Sequence, residues 1–416
     1  LSSPVGLIAR LIEIRRNNID ERNFLGLVNQ SINLYNESID LATAMEAEAF
    51  SMIELGQSLY AHYLKKNEEP RLSNSVSPGS RPGRKRFQKG NSVIYVTGAN
   101  AAYFPSLCIL LRSFEKTCPR EALYVCDFGL SSFQKSFLKG RGCLLERPHQ
   151  IPEGIHPFYY KACLSRYVKE LNPDTIVWID SDCLVVGPLS VRVEELIQSH
   201  TSGTDFLAVS PDGTQSIQYF IKKFKTASPN ADGLLRLMKQ YSLSLDKPYL
   251  NSGVFILRCR SFLEKWTDLV FQEDRQILFE QNIFNFLAYQ QPLELDLLDN
   301  RIWNVHGFDL NLLRIHGNDH TEKSVTLNGN PVLIVHATSE NRDEAFAEKV
   351  TVDQDGLKIE GVLKFIKNED ILGLQVQLLS EFLKNNMDLL SGFRDLEAIN
   401  QTDSCCSTFA APGFGF

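Results

Sequence analysis

The stretch that decides the fold is Thr175-Ile176-Val177-Trp178-Ile179-Asp180-Ser181-Asp182-Cys183-Leu184-Val185-Val186-Gly187-Pro188. Thr175 to Ile179 offers almost no polar surface, so it reads as a strand buried on both faces, as in a parallel sheet. The carboxylates Asp180 and Asp182 then fall at its C-terminal end, where open α/β sheets place their ligands. In extended backbone both side chains project to the same side. Two buried carboxylates so close repel each other and lose hydration, and a divalent cation between them resolves both problems. A hard ion held this way also accepts diphosphate oxygens. A bare D-x-D is more often a pair of capping or loop carboxylates; the apolar strand before it favours the ligand reading here.

A second buried run, Pro331-Val332-Leu333-Ile334-Val335-His336, ends on an imidazole. A lone His is usually a core or loop residue, but a strand end could deliver this one to the rim that holds the aspartates, and Mn²⁺ accepts mixed oxygen and nitrogen ligands. The metal set expected is Asp180, Asp182 and His336, with Mn²⁺ or Mg²⁺ bound.

Between and around these runs, short apolar segments alternate with helical patterns. Strands are expected at 93–96, 122–126, 175–179, 205–209, 254–257 and 332–335. Helices are expected through Leu107 to Phe114, from Ser132, over Tyr160 to Leu171, Ser261 to Phe271, Phe279 to Tyr289 and Leu372 to Leu390. This alternation predicts an α/β fold, Rossmann-like, with a mainly parallel sheet flanked by helices. The expected organisation is an N-terminal helical region (1–69), a basic Pro/Gly/Ser linker (70–90), a catalytic domain (91–348) and a C-terminal helical extension with a polar tail (349–416).

At 416 residues the chain has room for a core of about 250 residues plus appendages. With 43% hydrophobic residues, 22% charged residues and a net charge of -7, the composition is that of a globular protein without a nucleic-acid-binding charge balance. The nine cysteines follow no disulfide or zinc spacing, which favours a reducing, cytoplasmic compartment. The cations of the linker are read as a solvated connector, with contact to a membrane surface as the other option. No apolar stretch in the sequence is long enough to span a bilayer. The first residue is Leu1 rather than Met, which leaves room for an upstream segment.

Over about Val93 to Arg342 these motifs, in order, resemble GT-A glycosyltransferases and most closely family eight. The resembling segments are Val93 to Tyr103, Tyr124 to Ser131, the helix with Lys161 and Arg166, the D-x-D strand, Asn251-Ser252-Gly253-Val254-Phe255, Glu280-Gln281-Asn282 with Asn285, Trp303-Asn304, and the strand ending at His336. The resemblance implies a nucleotide-sugar donor, a UDP-sugar in the first instance, and transfer with retention to a carbohydrate, lipid or protein acceptor that the sequence does not name. It implies that Thr97, Gly98, Ala99 and Tyr103 hold the base and ribose, and that Lys161, Arg166, Ser181 and Ser252 contact donor sugar or phosphate. Glu280, Gln281 and Asn251 would stand beside the reacting sugar as catalytic residues.

The chain departs from the family in two places. Asp-Gln-Asp is replaced by Glu280-Gln281-Asn282. The pattern H-x-x-G-x-x-K-P-W after the metal-binding His is reduced to Arg342 at the position of the phosphate-contacting Lys. Two other readings compete: a haloacid-dehalogenase-like phosphatase, in which Asp180 would be a nucleophile, and a degenerate module that binds a sugar nucleotide or glycan without turnover. The metal reading further expects that losing Asp180 or Asp182 removes activity and spares the fold.

Overall fold

A computed structural model describes residues 93–152, 155, 157–201, 203–224, 230–272, 280–317, 324–338, 345–354 and 357–391. All lie in the compact unit Arg86–Phe416. The expected N-terminal helices, the basic linker and the polar tail are outside the described residues.

The elements run β1 (Val93–Ala99), α1 (Phe104–Thr117), β2 (Leu123–Asp127), α2 (Ser132–Gly140), β3 (Leu144–Leu145), α3 (Pro157–Ala162), α4 (Leu164–Tyr167), β4 (Thr175–Ile179), β5 (Cys183–Val185) and α5 (Leu189–Ser199). They continue with β6 (Phe206–Ser216), α6 (Ile217–Phe224), α7 (Asn230–Gln240), β7 (Pro248–Arg258), α8 (Arg260–Gln272), α9 (Glu280–Gln290), β8 (Glu294–Leu297) and α10 (Asn300–Trp303). The last are a 3₁₀ helix (Gly307–Leu312), β9 (Leu313–His316), β10 (Ser324–Leu327), β11 (Asn330–Pro331), β12 (Ile334–His336), β13 (Ala345–Gln354), β14 (Leu357–Ile366) and α11 (Glu369–Ser391).

A seven-stranded sheet in the order β3-β2-β1-β4-β7-β6-β8 forms the centre, parallel except where β7 runs against β4 and β6. The protein is an α/β fold with a mainly parallel sheet between helices. Period-two alternation sends Ile94, Val96, Ile176, Trp178, Phe255 and Leu257 to one face, where they pack with residues of α3, α4 and α6 to α9. Tyr95, Val177, Ile179, Val254 and Ile256 go to the other face, with α1, α2, α5 and α11. Both faces are covered, so β4 is apolar throughout.

Three expectations need correction. The helix over Tyr160 to Leu171 breaks near Cys163 into α3 and α4. β7 begins at Pro248 rather than at Val254, so Asn251 and Ser252 sit inside the strand. The strand ending at His336 joins no central strand; β12 pairs antiparallel with β5, with His336 opposite Cys183.

The C-terminal part begins with a hairpin that the sequence reading missed. β13 and β14 pair from Ala345↔Ile366 to Gln354↔Leu357 across a two-residue connection. The signal was present: Asp355-Gly356 between alternating runs is a hairpin turn pair. α11 then lays Ile371, Leu378 and Phe382, spaced for one helical face, into the core. Phe382 meets Phe137 edge-on at 5.8 Å, and Glu381 accepts from Arg112 at 2.8 Å.

Candidate functional site

The rim of β4 collects the expected metal-binding side chains from three places. Asp180 follows β4, with its backbone N–H bonded to the Gly253 carbonyl at 2.8 Å. Asp182 precedes β5, and its carbonyl accepts from Ala337 N at 3.2 Å. His336 ends β12, its N–H bonded to the Val305 carbonyl at 2.8 Å. These short ladders bring His336 Nε2 to 3.3 Å from Asp182 Oδ1 and 4.0 Å from Asp180 Oδ2. Ligand atoms at about 2.1 Å from one ion can stand up to about 4.2 Å apart, so both separations permit shared ligation.

The hydrogen bonds behind His336 fix its tautomer. Gly253 N, a backbone donor, points at Asn251 Oδ1 at 2.8 Å, which identifies that atom as oxygen. Asn304 Nδ2 donates to the same oxygen at 3.1 Å, so the remaining amide atom of Asn304 is its oxygen. That oxygen lies 2.9 Å from His336 Nδ1, which must therefore carry the proton. In the neutral ring Nε2 is left with a lone pair facing two carboxylate oxygens. A divalent cation shared by the three groups would make that arrangement favourable, as would a proton on Nε2 donated to Asp182, and the donor set of imidazole plus two carboxylates is one that a divalent ion such as Mn²⁺ accepts. Cys183 also lies close to Asp182 and His336. Burial pushes its thiol well above the usual range, and the three side chains together form a group that could hold a metal ion.

Gly253 is part of this construction. A Cβ there would lie 2.3 Å from His336 Cε1 and 2.8 Å from Asn251 Oδ1, so only glycine admits the ring.

Lysines balance the acids. Lys161 Nζ is 3.0 Å from Asp180 Oδ1 and 3.7 Å from Glu280 Oε1, and 5.7 Å from the centre of a Trp178 ring. Trp178 Nε1 also donates to Asp180 Oδ1 at 2.7 Å. Burial works against the charge of Lys161, but Asp180 and Glu280 outweigh it and raise its pKa. Lys364, from β14, is ion-paired to Asp182 Oδ2. Burial opposes ionisation of Asp182, yet Lys364 foremost, joined by His336 when its ring is charged, holds its carboxyl well below the usual range. Lys364 was not foreseen, because it is 182 positions from Asp182 and rides on the missed hairpin.

Beside this cluster, Ser252 N and Oγ both bond Gln281 Oε1 at 3.1 Å, and Oγ also meets Glu280 Oε1 at 3.3 Å. Burial, offset in part by Lys161, raises the pKa of Glu280. Asn282 and Asn285 are structural: they accept from Tyr249 Oη at 2.8 Å and from Leu250 N at 2.7 Å. Asn251, expected to be catalytic, accepts through its amide oxygen from Gly253 N at 2.8 Å and Asn304 Nδ2 at 3.1 Å. Asn304 in turn links it to His336 Nδ1 at 2.9 Å. A second unforeseen pair, His306 and Asp212, joins at 2.8 Å, with the other ring nitrogen 2.7 Å from the Asn304 carbonyl.

Other expected residues are placed as follows. Ser181 is half-buried in the turn between the two aspartates. Tyr103 opens α1, with its ring 5.5 Å from Lys364 Nζ. Thr97 and Ala99 turn their side chains into the core, and Gly98 lies against the Phe128 ring. From β1, only backbone could meet a nucleoside. Arg166 is not brought to the cluster; it bonds the Gln150 carbonyl at 2.6 Å and covers the Phe271 ring. The break after α3 explains this, and even in one helix residues five apart point about 140° from each other. Arg342 lies outside the described residues.

No protein-family model matches the chain, and no curated protein matches it in sequence. Solved structures similar to it include a galactosyltransferase, LgtC, in complex with donor and acceptor sugar analogs. That match has 18% identity over 50% of this chain and 74% of the other, with a TM-score of 0.34. The glycosyltransferase GlyE of Streptococcus pneumoniae matches at 15% identity over 72% of this chain and 63% of its own, with a TM-score of 0.40. Mouse xyloside xylosyltransferase 1 matches at 13% identity over 60% and 98%, with a TM-score of 0.36. At such identities a shared function does not follow from the likeness, so the side chains themselves must carry it. Among the described residues no helix is long and apolar enough to cross a membrane.

Proposed function

We propose that the protein is a metal-dependent glycosyltransferase of the GT-A type that moves a sugar from a nucleotide-sugar donor, a UDP-sugar first among candidates, to an acceptor hydroxyl. The observation that carries this reading is His336, held through Nδ1 by Asn304 so that its Nε2 faces Asp180 and Asp182 at the C-terminal end of a buried strand. Asp180, Asp182 and His336 would hold the ion, which when bound offsets the charge that develops on the leaving diphosphate. Around it the chain's own groups have separate tasks. Asn304 keeps His336 in the ligating tautomer, and Asn251 keeps Asn304 in place. Lys161 holds Asp180 and Glu280 as a compact charged group. Ser252 fixes the side chains of Glu280 and Gln281, which stand where the resemblance puts the donor sugar. Retention is the outcome that accompanies this family type.

A second reading is favoured by the two lysines: with Asp180 on Lys161 and Asp182 on Lys364, the site could bind a sugar nucleotide without turning it over. Asp180 as a phosphatase nucleophile is disfavoured, because Trp178 and Lys161 both hold its Oδ1. Thermal unfolding against a panel of nucleotide sugars, with Mn²⁺ and with chelator, separates the readings. Stabilisation by a donor that requires Mn²⁺ and is followed by release of free nucleotide supports transfer. Stabilisation without release supports the binding module, and no response to any donor refutes both.

A further inference from the structure

β14 is built into the rim. Val362 N donates to the Ala102 carbonyl, and Ser106 Oγ donates to the Val362 carbonyl at 3.3 Å. A Cβ at Gly361 would stand 2.4 Å from the Ala102 oxygen and 2.5 Å from Pro105 Cδ, so the strand lies directly against the loop after β1. From there Lys364, 9% exposed, sends its ammonium to Asp182 Oδ2 and across the ring of Tyr103.

That position is informative in two ways. Nζ lies between a metal-ligating carboxylate and the loop expected to hold the nucleoside, so a diphosphate linking the two must pass beside it. An ammonium has three N–H donors, and the bond to Asp182 uses one. Charge points the same way. Asp180, Asp182 and Glu280 face Lys161 and Lys364, three carboxylates against two ammonium groups. A divalent ion alone would leave this buried cluster with excess positive charge. An ion that arrives with a diphosphate would not.

We propose that Lys364 is a diphosphate-binding residue that neutralises Asp182 in the ligand-free protein and, when ligand binds, turns its free donors to the nucleoside diphosphate, coupling metal binding to nucleotide binding. This rests on the nucleotide-sugar reading above. Lys364 thus supplies from the C-terminal hairpin the cation that the resemblance sought at Arg342.

The test is calorimetry on the full chain with three probes: Mn²⁺ alone, UDP at saturating Mn²⁺, and uridine as the phosphate-free control. ADP, GDP or CDP with its nucleoside replaces UDP if it binds instead. Lys364→Met should weaken the diphosphate roughly tenfold to a hundredfold, leave the nucleoside unchanged and tighten Mn²⁺ alone, while Lys364→Arg keeps most of the diphosphate affinity. If Lys364→Met does not fold, as judged by thermal unfolding, Lys364→Gln is read in the same way. Diphosphate affinity within twofold of wild type overturns the proposal, as does an equal loss for diphosphate and nucleoside. If wild type binds no nucleoside diphosphate, the nucleotide-sugar reading falls and this proposal with it, a result distinct from wild-type binding that the variant retains.

Discussion

Gly253→Ala adds one methyl group where the structure has no room for it. The new Cβ would sit 2.3 Å from His336 Cε1, 2.9 Å from His336 Nδ1 and 2.8 Å from Asn251 Oδ1. Ordinary contact begins near 3.4 Å, so the imidazole must retreat by roughly 1.1 Å. It cannot do so freely, because the ring is buried and tied to Asn304 at 2.9 Å. Overpacking of this kind costs about 1–3 kcal/mol of stability. Elsewhere in a strand the same change would be neutral or mildly stabilising, since glycine weakens strands. The larger effect falls on the site: displacing one ligand by about 1 Å can cost about a hundredfold in rate. Calorimetric Mn²⁺ affinity in the presence of UDP, and nucleotide release from the donor, should both fall by at least about tenfold, with a melting temperature lower by a few degrees. Wild-type metal affinity and rate in Gly253→Ala would show that the position of His336 is not functional.

Asp182→Ala should lower stability by about 3–5 kcal/mol as well as abolish turnover, because it leaves the ammonium of Lys364 buried and unpaired. Denaturant unfolding checks this revision of the expectation that the fold is spared, and Asp182→Ala with Lys364→Met should recover part of the loss. The imidazole of His306 is pushed down by burial but raised overall by Asp212. Its stabilisation is therefore complete below about pH 6.5 and lost as pH rises through the higher folded value. Melting temperatures from pH 6 to 9 should show a decline that Asp212→Asn removes; an unchanged profile in that variant would exclude the pair as its source. Ending the chain at residue 348 should prevent folding, since it strips α11 from α1 and α2 and removes β14 with most of β13. A soluble, cooperatively melting fragment would contradict this.

The central sheet and both aspartates were legible because they obey local rules: β4 is apolar on both faces and its carboxylates follow at once. His336 was legible as a strand end, although its route to the site, through β5 rather than the main sheet, depends on three-residue ladders that no periodicity reveals. Lys364 and His306 were invisible because tertiary packing alone brings them to partners 182 and 94 positions away. Arg166 misled for the reverse reason, since an apparently continuous helical pattern concealed the turn at Cys163. Asn251 was legible as part of the rim, but its hydrogen bonds to Gly253 and Asn304 were not, because Asn304 is 53 positions away.

The claim that this rim transfers sugar with a metal is tested most directly by following free nucleoside diphosphate released from UDP-sugars with Mn²⁺, in wild type and His336→Ala. Release is expected from at least one donor, with chelator stopping it and His336→Ala reducing it by at least about a hundredfold at unchanged folding. Release that persists in chelator or in His336→Ala would contradict that claim.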